Sequence, residues 1–153
     1  MDKVFKIWTD GSCAPNPGAG GWAVVGEDCN LIISGAKAKS TNIEMEGIAL
    51  VYALKIAEKY INKYNNGKVI VHSDSQFWIN VVTKWAPNWA RSGWKKKSKD
   101  EIKNLNVVKV LHKLYSSLNG KAELQWVKAH VGHAQNEAAD HWANEARKNS
   151  DKI

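Results

Sequence analysis

The chain has few cysteines and no long apolar run. Its 153 residues include two cysteines, too few for a disulfide framework and without the CxxC spacing of a structural zinc site. No apolar run approaches the roughly 20 residues that a membrane-spanning helix needs. The first residues enter a strand-like segment and do not resemble a signal peptide, so we expect an intracellular, cytoplasmic protein that does not bind a membrane.

Two further absences narrow the function and the domain organisation. No GxxxxGK[ST] motif occurs, and the glycine-rich stretch 18–21 leads into a strand-like segment and not into a helix, which excludes a nucleotide-binding phosphate loop. There is also no internal repeat or low-complexity linker. The length and the 44% hydrophobic content favour one domain, which we expect to span residues 1–148, with a frayed tail at 149–153.

Positive charge is in excess and is concentrated in one segment. The chain has 22 Lys and Arg residues against 15 Asp and Glu residues, which gives a net charge of +7. Seven cationic and two acidic residues lie between Lys84 and Lys103, so this window holds five of the seven net charges, together with three tryptophans. Such a field favours a polyanionic partner such as nucleic acid, although a solubilising surface has the same composition.

The apolar pattern predicts five strands. Apolar or alternating segments bounded by glycine, asparagine or other turn residues occur at five places. These segments are residues 4–10, 21–26, 31–38, 68–74 and 122–127. The first three follow one another directly and are expected to pair antiparallel. Strands first and then alternating helices and strands imply an α/β fold with one mixed sheet and helices packed on it.

Four helical segments complete the pattern. The first begins at Thr41, three residues before Glu44 as in a capping box, and ends near Gly67. A short helix begins at the serine cap Ser75, and its pattern breaks at Pro87. The last two helices are predicted at residues 104–118 and 137–148.

Four acidic residues lie where core-directed segments end or turn inward. Asp10 and Asp74 close strand-like runs at their carboxyl ends. Glu46 lies on the apolar stripe of the first long helix, and Asp140 flanks the face of the last helix on which Trp142 is expected to point inward. A cap, a surface ion pair or a turn explains any one of them. Because buried carboxylates are costly unless paired, protonated or bound to a cation, the four together suggest a Mg²⁺ site beside a phosphate-bearing substrate.

Several short motifs resemble, in order and spacing, the type 1 ribonucleases H of the bacterial ribonuclease HI kind, which carry a basic protrusion. They are residues 9–13 (TDGSC), 16–18 (NPG), 45–46 (ME), 73–76 (SDSQ), 126–133 (WVKAHVGH) and 136–140 (NEAAD). The resemblance covers nearly the whole chain. It implies a five-stranded mixed sheet with the second strand antiparallel to its neighbours, and an endonuclease that cuts the RNA strand of an RNA/DNA hybrid with two Mg²⁺ or Mn²⁺ ions, leaving 3′-hydroxyl and 5′-phosphate ends.

The resemblance also implies which residues carry the chemistry. Asp10, Glu46, Asp74 and Asp140 match the family's metal-binding, catalytic carboxylates. His130 lies in the loop that matches the family's catalytic histidine, which assists water deprotonation or product departure. An imidazole, with an ordinary pKa of about 6.5, suits either proton transfer near neutral pH.

Contacts to the two strands of the hybrid are implied in the same way. Those to the RNA strand are Cys13, Asn16, Asn42 and Gln76. Two regions are implied to contact the DNA strand: a phosphate pocket and the basic protrusion, residues 85–97, which is named the handle here. The residues of the pocket are Lys39, Thr41 and Asn88. Those of the handle are Trp85, Trp89, Trp94, Lys95, Lys96 and Lys97. Lys39 stands where the family often has arginine, and lysine offers a point charge instead of a bidentate fork. Glu44 is a second departure, which either weakens hybrid binding or caps the helix.

Two other functions remain open on these observations. Another nuclease or strand-transfer enzyme of the same superfold, such as a junction resolvase, would share the acids but need different substrate loops. A non-catalytic hybrid-binding module would tolerate loss of the acids, yet all four are present. No obligate protein partner is indicated, and a monomer is expected.

Overall fold

The computed structural model describes residues 3–27, 30–96, 100–128 and 134–149. Five strands form one sheet: β1 (Lys3–Cys13), β2 (Gly18–Gly26), β3 (Ile32–Ser40), β4 (Gly67–Ser73) and β5 (Ala122–Trp126). The helices are α1 (Asn42–Lys63), α2 (Gln76–Asn80), α3 (Ala86–Arg91), α4 (Leu105–Ser117) and α5 (Ala134–Lys148). A π-helical turn, Val81–Trp85, joins α2 to α3.

The sheet is mixed and has the strand order β3-β2-β1-β4-β5. Strand β2 pairs antiparallel with β1 and β3, whereas β4 pairs parallel with β1 and β5. The predicted five-stranded mixed sheet is therefore confirmed. The carboxyl ends of the three parallel strands meet at one edge, which is where open α/β sheets place their ligands.

The pairing of β1 explains why Asp10 does not end the strand as predicted. Its parallel pairing with β4 stops at Trp8, but its antiparallel pairing with β2 continues to Cys13. Asp10 therefore lies on the part of β1 that has left β4, while Asp74 directly follows the last residue of β4. A gap opens between the two strands at this edge of the sheet.

Helices α1 and α5 cover opposite faces of the sheet. Ile7 and Val24 pack with α1 in the main core, whereas their neighbours Trp8 and Val25 pack with Ala139 of α5. This follows from the alternation of side chains along a strand. Helix α4 packs on α1 and completes the main core, in which a fully buried Val or Leu side chain contributes roughly 1.5–3 kcal/mol.

Three details of the helices differ from the prediction. Pro87 does not break the pattern, because it lies in the first turn of α3, where a missing N–H and a fixed φ are tolerated. Helix α5 begins at Ala134, three residues earlier than expected. Trp142 was predicted to point inward but is 37% exposed, because the small residues Ala139 and Ala143 hold α5 too close to the sheet for an indole.

The described chain continues one residue beyond α5. Asn149 follows α5 in a turn, with its N–H donating to the carbonyl of Glu145, and the remainder of the predicted tail, residues 150–153, lies outside the described residues. Among the helices that the structure describes, none is long and apolar enough to cross a membrane.

Candidate active site

The close contact between β1 and α1 places Asp10 beside the helix that carries Glu46. A Cβ atom at Gly11 would lie 2.4 Å from the backbone N of Glu46 and 2.6 Å from the carbonyl carbon of Met45, closer than such atoms come in proteins. Only glycine permits this contact. The backbone next to Asp10 therefore lies against the first turns of α1, where Glu46 is located.

The backbone at Asp74 is held from both sides. On one side, the Ser75 side chain caps α2 by accepting from the N–H of Trp78 at 3.2 Å, while the Ser75 N–H donates to Oγ of Ser73 at 3.1 Å. On the other side, Nε1 of the half-exposed Trp126 donates to the Asp74 carbonyl at 3.2 Å. The serine cap predicted for this helix is confirmed, and it holds Asp74 at the end of β4.

The acids act on one another's ionisation. Burial raises the pKa of Asp10 to about 9, with further contributions from the charge of Asp74 and from a side-chain hydrogen bond and the charge of Asp140. Burial likewise raises the pKa of Glu46 to about 7, helped by the charge of Asp74 and opposed by a hydrogen bond from Ser75. The fold thus brings the three aspartates together from β1, the end of β4 and α5, with Glu46 next to Asp74.

This cluster does not enclose a metal on its own. In the described part of the chain, no group of three or more His, Cys, Asp or Glu side chains has the geometry to hold a metal ion. Asp10 and Asp140 instead share a hydrogen bond, in which a protonated Asp10 donates. The donor set nevertheless fits Mg²⁺, which is usually bound by one or two carboxylates with water and substrate phosphate completing the shell. A cation would also relieve the cost of ionising these half-buried acids.

Two residues assigned to the RNA strand lie together. Oδ1 of Asn16, in the loop between β1 and β2, accepts from the N–H of Asn42 at the start of α1 at 3.2 Å. The indole of Trp78 in α2 donates to the carbonyl of Ile43 at 2.7 Å, which ties α2 and its exposed first residue Gln76 to the same turn of α1. Asn16, Asn42 and Gln76 therefore belong to one connected surface.

The thiol of Cys13 is not part of that surface. It is buried, and its Sγ lies 3.3 Å from each of three backbone carbonyl oxygens, those of Pro15, Gly18 and Ser40. The thiol stabilises the loop between β1 and β2. A contact of Cys13 with RNA would have to use its backbone.

The corner between β3 and α1 explains the unusual Glu44. The Thr41 hydroxyl accepts from the Glu44 N–H at 3.0 Å, which is one half of the predicted capping box. The Glu44 carboxylate does not return to Thr41 but accepts from Oγ of Ser40 at 2.7 Å and from Nζ of Lys37 at 3.0 Å. Partial burial raises the pKa of Glu44, but the hydrogen bond from Ser40 and the bond and charge of Lys37 outweigh it, so the pKa is lowered. Lys39 and Thr41 are exposed at this corner.

Aromatic rings form a row along α2, the π-helical turn and α3. The ring centroids of Phe77 and Trp85 lie 6.0 Å apart and those of Trp85 and Trp89 6.2 Å apart; these three rings are named the aromatic row. Phe77 is 46% and Trp85 39% exposed, whereas Trp89 is partly buried against the core. Nζ of Lys96 lies 5.9 Å from the Trp89 ring. The row offers flat apolar faces with positive charge beside them.

The other residues assigned to the DNA strand have different surroundings. Trp94 packs against the core through α4, with its ring 5.6 Å from that of His112 and 5.7 Å from Nζ of Lys109. Asn88 is exposed on α3, where its amide donates to the Lys84 carbonyl at 3.3 Å and accepts from Arg91. Lys95 is exposed. The assignments of Lys97 and His130 fall on residues outside the described ranges and stay predictions.

Sequence reasoning missed a contact between β1 and α5. Ser12 was noted only as part of a motif, and Asn144 and Arg147 were not noted, although both bond to the Ser12 hydroxyl. In the sequence, Asn144 and Arg147 are distinguished by nothing more than lying three residues apart on one helix, and this spacing does not identify a partner.

A comparison with known protein families decides the classification. The model of the family described as RNase H matches residues 2–148. The chain belongs to the ribonuclease H family. Membership makes the protein a nuclease, as the sequence motifs predicted.

Relatives and solved structures agree with this assignment. Ribonuclease HI of Neisseria meningitidis serogroup B is 37% identical over 148 residues, covering 94% of this chain and 95% of the relative. Ribonuclease H of Treponema denticola is 37% identical over 155 residues, covering 93% and 96%. The crystal structure of LC9-RNase H1, a type 1 RNase H with the type 2 active-site motif, matches 98% of this chain and 74% of its own with a TM-score of 0.75 at 27% identity. LC11-RNase H1 in complex with an RNA/DNA hybrid matches 95% of this chain and 98% of its own with a TM-score of 0.70 at 21% identity. At this identity the likeness shows the fold alone.

Proposed function

We propose that this protein is an endoribonuclease that hydrolyses the RNA strand of an RNA/DNA hybrid and leaves 3′-hydroxyl and 5′-phosphate ends. The observation that carries the proposal is the meeting of Asp10, Asp74 and Asp140 at one edge of the sheet, with Glu46 next to Asp74. Family membership supports the reaction class. The hybrid bound by LC11-RNase H1, which shares the fold, supports the substrate.

In this proposal Asp10, Glu46, Asp74 and Asp140 hold two divalent cations, Mg²⁺ or Mn²⁺. When bound, such ions stabilise the attacking and leaving oxygens of an in-line phosphoryl displacement. The protein's part is to supply ionised oxygens in fixed positions. Asp10 must therefore give up the proton that it shares with Asp140, and positive charge at the site lowers the pKa at which it does so. His130 is assigned the proton transfer to or from water or the leaving oxygen.

The RNA strand lies, in this proposal, along the surface made by Asn16, Asn42 and Gln76. RNA is distinguished from DNA by its 2′-hydroxyl, which both donates and accepts a hydrogen bond and is reached across a wide, shallow minor groove. Exposed amide side chains match that group because each amide also both donates and accepts. The bond from the backbone N–H of Asn42 fixes the side-chain amide of Asn16 before substrate arrives, which lowers the entropy lost on binding.

The DNA strand lies along the aromatic row and the handle. The exposed ring of Trp85 offers a face to deoxyribose, and Lys95, Lys96 and Lys97 neutralise phosphates, so that affinity falls as salt concentration rises. Lys39, Thr41 and Asn88 are assigned to one DNA phosphate. Pairing with Lys37 neutralises Glu44, which allows an acid to stand at this corner without repelling the backbone of the hybrid.

One assay tests the substrate and the metal together. Labelled RNA/DNA hybrid, double-stranded RNA, double-stranded DNA and a four-way DNA junction are incubated with the protein, with and without Mg²⁺. We expect cleavage of the RNA of the hybrid alone, and only with the metal. Cutting of duplex DNA or of the junction at the same rate would contradict the proposal and favour another nuclease of the same fold. Light scattering of the same preparation tests the proposed monomer.

A further inference from the structure

Within the described residues, β1 and α5 are joined by two hydrogen-bonded links, and the acids make one of them. The first is the hydrogen bond between Asp10 and Asp140. The second is made by Ser12, whose hydroxyl donates to Oδ1 of Asn144 at 2.6 Å and accepts from Nε of Arg147 at 3.1 Å. The Ser12 hydroxyl thus both donates one hydrogen bond to α5 and accepts one from it.

The two links lie next to each other, on the same face of β1 and on the same face of α5. Ser12 follows Asp10 by two residues on a strand with unbroken pairing, so both side chains lie on the same face of β1. Asn144 follows Asp140 by four residues, so both lie on the same face of α5. The Ser12 link therefore joins the same two elements about one helical turn away from the acids.

Glycine at position 21 lets α5 come close enough for these bonds. Gly21 pairs with Ser12 across the β1–β2 ladder. A Cβ atom there would lie 2.2 Å from the carbonyl oxygen of Ala143 and 2.4 Å from the backbone N of Arg147. Helix α5 therefore lies directly on the backbone of β2 at this point, and the side chain of the neighbouring Ser12 on β1 reaches the helix.

The Ser12 link fixes the position of α5 on β1 through its bonds to Asn144 and Arg147. Asp140 lies about one turn before Asn144 on the same face of α5, so these bonds also fix where Asp140 stands relative to Asp10. They do not use the carboxylates, which stay available to a cation.

We infer that Ser12, Asn144 and Arg147 form a positioning network that holds Asp140 beside Asp10 for divalent-cation binding. The inference rests on the proposed function, because it concerns the same carboxylates. None of the three residues is itself a metal ligand; each acts by fixing α5 on β1. Loss of groups that orient metal ligands typically lowers metal affinity by a factor of about 10 to 100.

Mn²⁺ binding to the protein without nucleic acid, measured by calorimetry well below the unfolding temperature, tests the network. We expect Ser12→Ala and Asn144→Ala each to raise the dissociation constant about tenfold. We expect Ser12→Thr, which keeps the hydroxyl and suits a strand, to remain near the original protein. Glu145→Ala is the matched control, because it removes the ion pair with Lys148 on the same helix without touching Ser12. Circular dichroism verifies that each variant is folded, and Asn144→Ala replaces Ser12→Ala if the latter does not fold.

Kinetics separates positioning from general stability. We expect Ser12→Ala to need about tenfold more Mg²⁺ for half-maximal cleavage, with the KM for hybrid at saturating Mg²⁺ unchanged. A variant that unfolds at lower temperature yet binds Mn²⁺ like the original protein would overturn the inference. If the original protein binds Mn²⁺ but does not cleave hybrid, the proposed function fails, and the Mn²⁺ affinities of the variants still decide the inference.

Discussion

Glu44 and Glu46 lie two residues apart on α1, and the fold shifts their pKa values in opposite directions. Glu44 accepts hydrogen bonds from Lys37 and Ser40, and its pKa is lowered. Glu46 is half-buried near Asp74, and its pKa is raised to about 7. Glu44 is thus surrounded by a cation and a hydroxyl group, whereas Glu46 lies next to another acid, an arrangement typical of candidate functional sites. The stability of the acid cluster is therefore expected to depend on a cation, and that of the β3–α1 corner is not.

The largest effect that separates the two regions is expected from Asp10→Asn. Loss of one cluster carboxylate should reduce cleavage on the order of a thousandfold, since a preorganised electrostatic interaction with the reacting groups is lost. Without metal the same variant should be more stable than the original protein by about 1–3 kcal/mol at pH 7.5, because Asp10 is ionised in the unfolded chain and must take up a proton on folding, a cost that asparagine does not have. Rate measurements and urea unfolding check both. Asp100→Asn, which removes an exposed acid, should not raise stability, and a destabilised Asp10→Asn would contradict the comparison.

The pH dependence of stability should also distinguish the regions. Asp10 and Glu46 bind protons more tightly in the folded state, with pKa values of about 9 and 7 against ordinary values of 3.8 and 4.5. Between the ordinary and the raised values the folded state holds more protons than the unfolded state, so the free energy of unfolding should fall as pH rises. Urea unfolding from pH 5 to 9 without metal should show this fall, and Mg²⁺ should flatten it.

The contribution of Glu44 to stability has the opposite dependence on pH, and it changes below pH 5, outside the range of that measurement. With its folded-state pKa lowered, its stabilisation is present above the ordinary value of 4.5 and is lost as pH falls below it. A stability that rises from pH 5 to 9 without metal, or a slope unchanged in an Asp10→Asn, Glu46→Gln double variant, would show that the cluster is not the source.

A smaller effect should separate two tryptophans of the handle. Trp85 is exposed, and Trp94 packs against α4. Trp85→Ala should raise the KM for hybrid about tenfold, in line with roughly 1–3 kcal/mol for an aromatic ring stacked on nucleic acid, with little loss of stability. Trp94→Ala should mainly lower the unfolding temperature. Steady-state kinetics and thermal unfolding of both variants check this, and the reverse pattern would place the DNA strand elsewhere.

The smallest effect is expected at the β3–α1 corner. Glu44→Gln should cost about 0.5 kcal/mol at pH 7, because Lys37 is about half exposed and solvent screens the pair. A double-mutant cycle with Lys37→Met measures the coupling between the two residues. The KM for hybrid should stay within about twofold if Lys37 already neutralises Glu44. A much lower KM in Glu44→Gln would show that the acid repels the substrate.

The sequence predicted most of the fold because its signals are local. Alternating apolar residues predicted all five strands, and the serine cap at Ser75 is observed. The errors arose where contacts between distant segments decide. Asp10 lies inside β1 because β2 continues to pair with it, and Trp142 is exposed because α5 lies against Gly21. Neither contact leaves a local pattern.

The sequence indicated the acids of the candidate site more clearly than the residues that hold them in place. A carboxylate at the end of an apolar run is a local signal, so the sequence indicated Asp10 and Asp74. The structure brings them into one cluster with Asp140 and Glu46, and their role as metal ligands stays a prediction. The bond between Ser12 and Asn144 joins residues 132 positions apart, and no spacing rule indicates it. The surroundings of the Cys13 thiol depend likewise on carbonyl groups of the following loop, of β2 and of β3.

The central claim is that the four acids bind divalent cations beside the RNA strand. Anomalous diffraction from crystals of the protein with Mn²⁺ and a hybrid whose RNA strand resists cleavage tests it most directly. We predict anomalous peaks in contact with Asp10, Glu46, Asp74 and Asp140 and with one RNA phosphate. Peaks elsewhere, or acids paired with lysine or arginine and no metal between them, would contradict the claim.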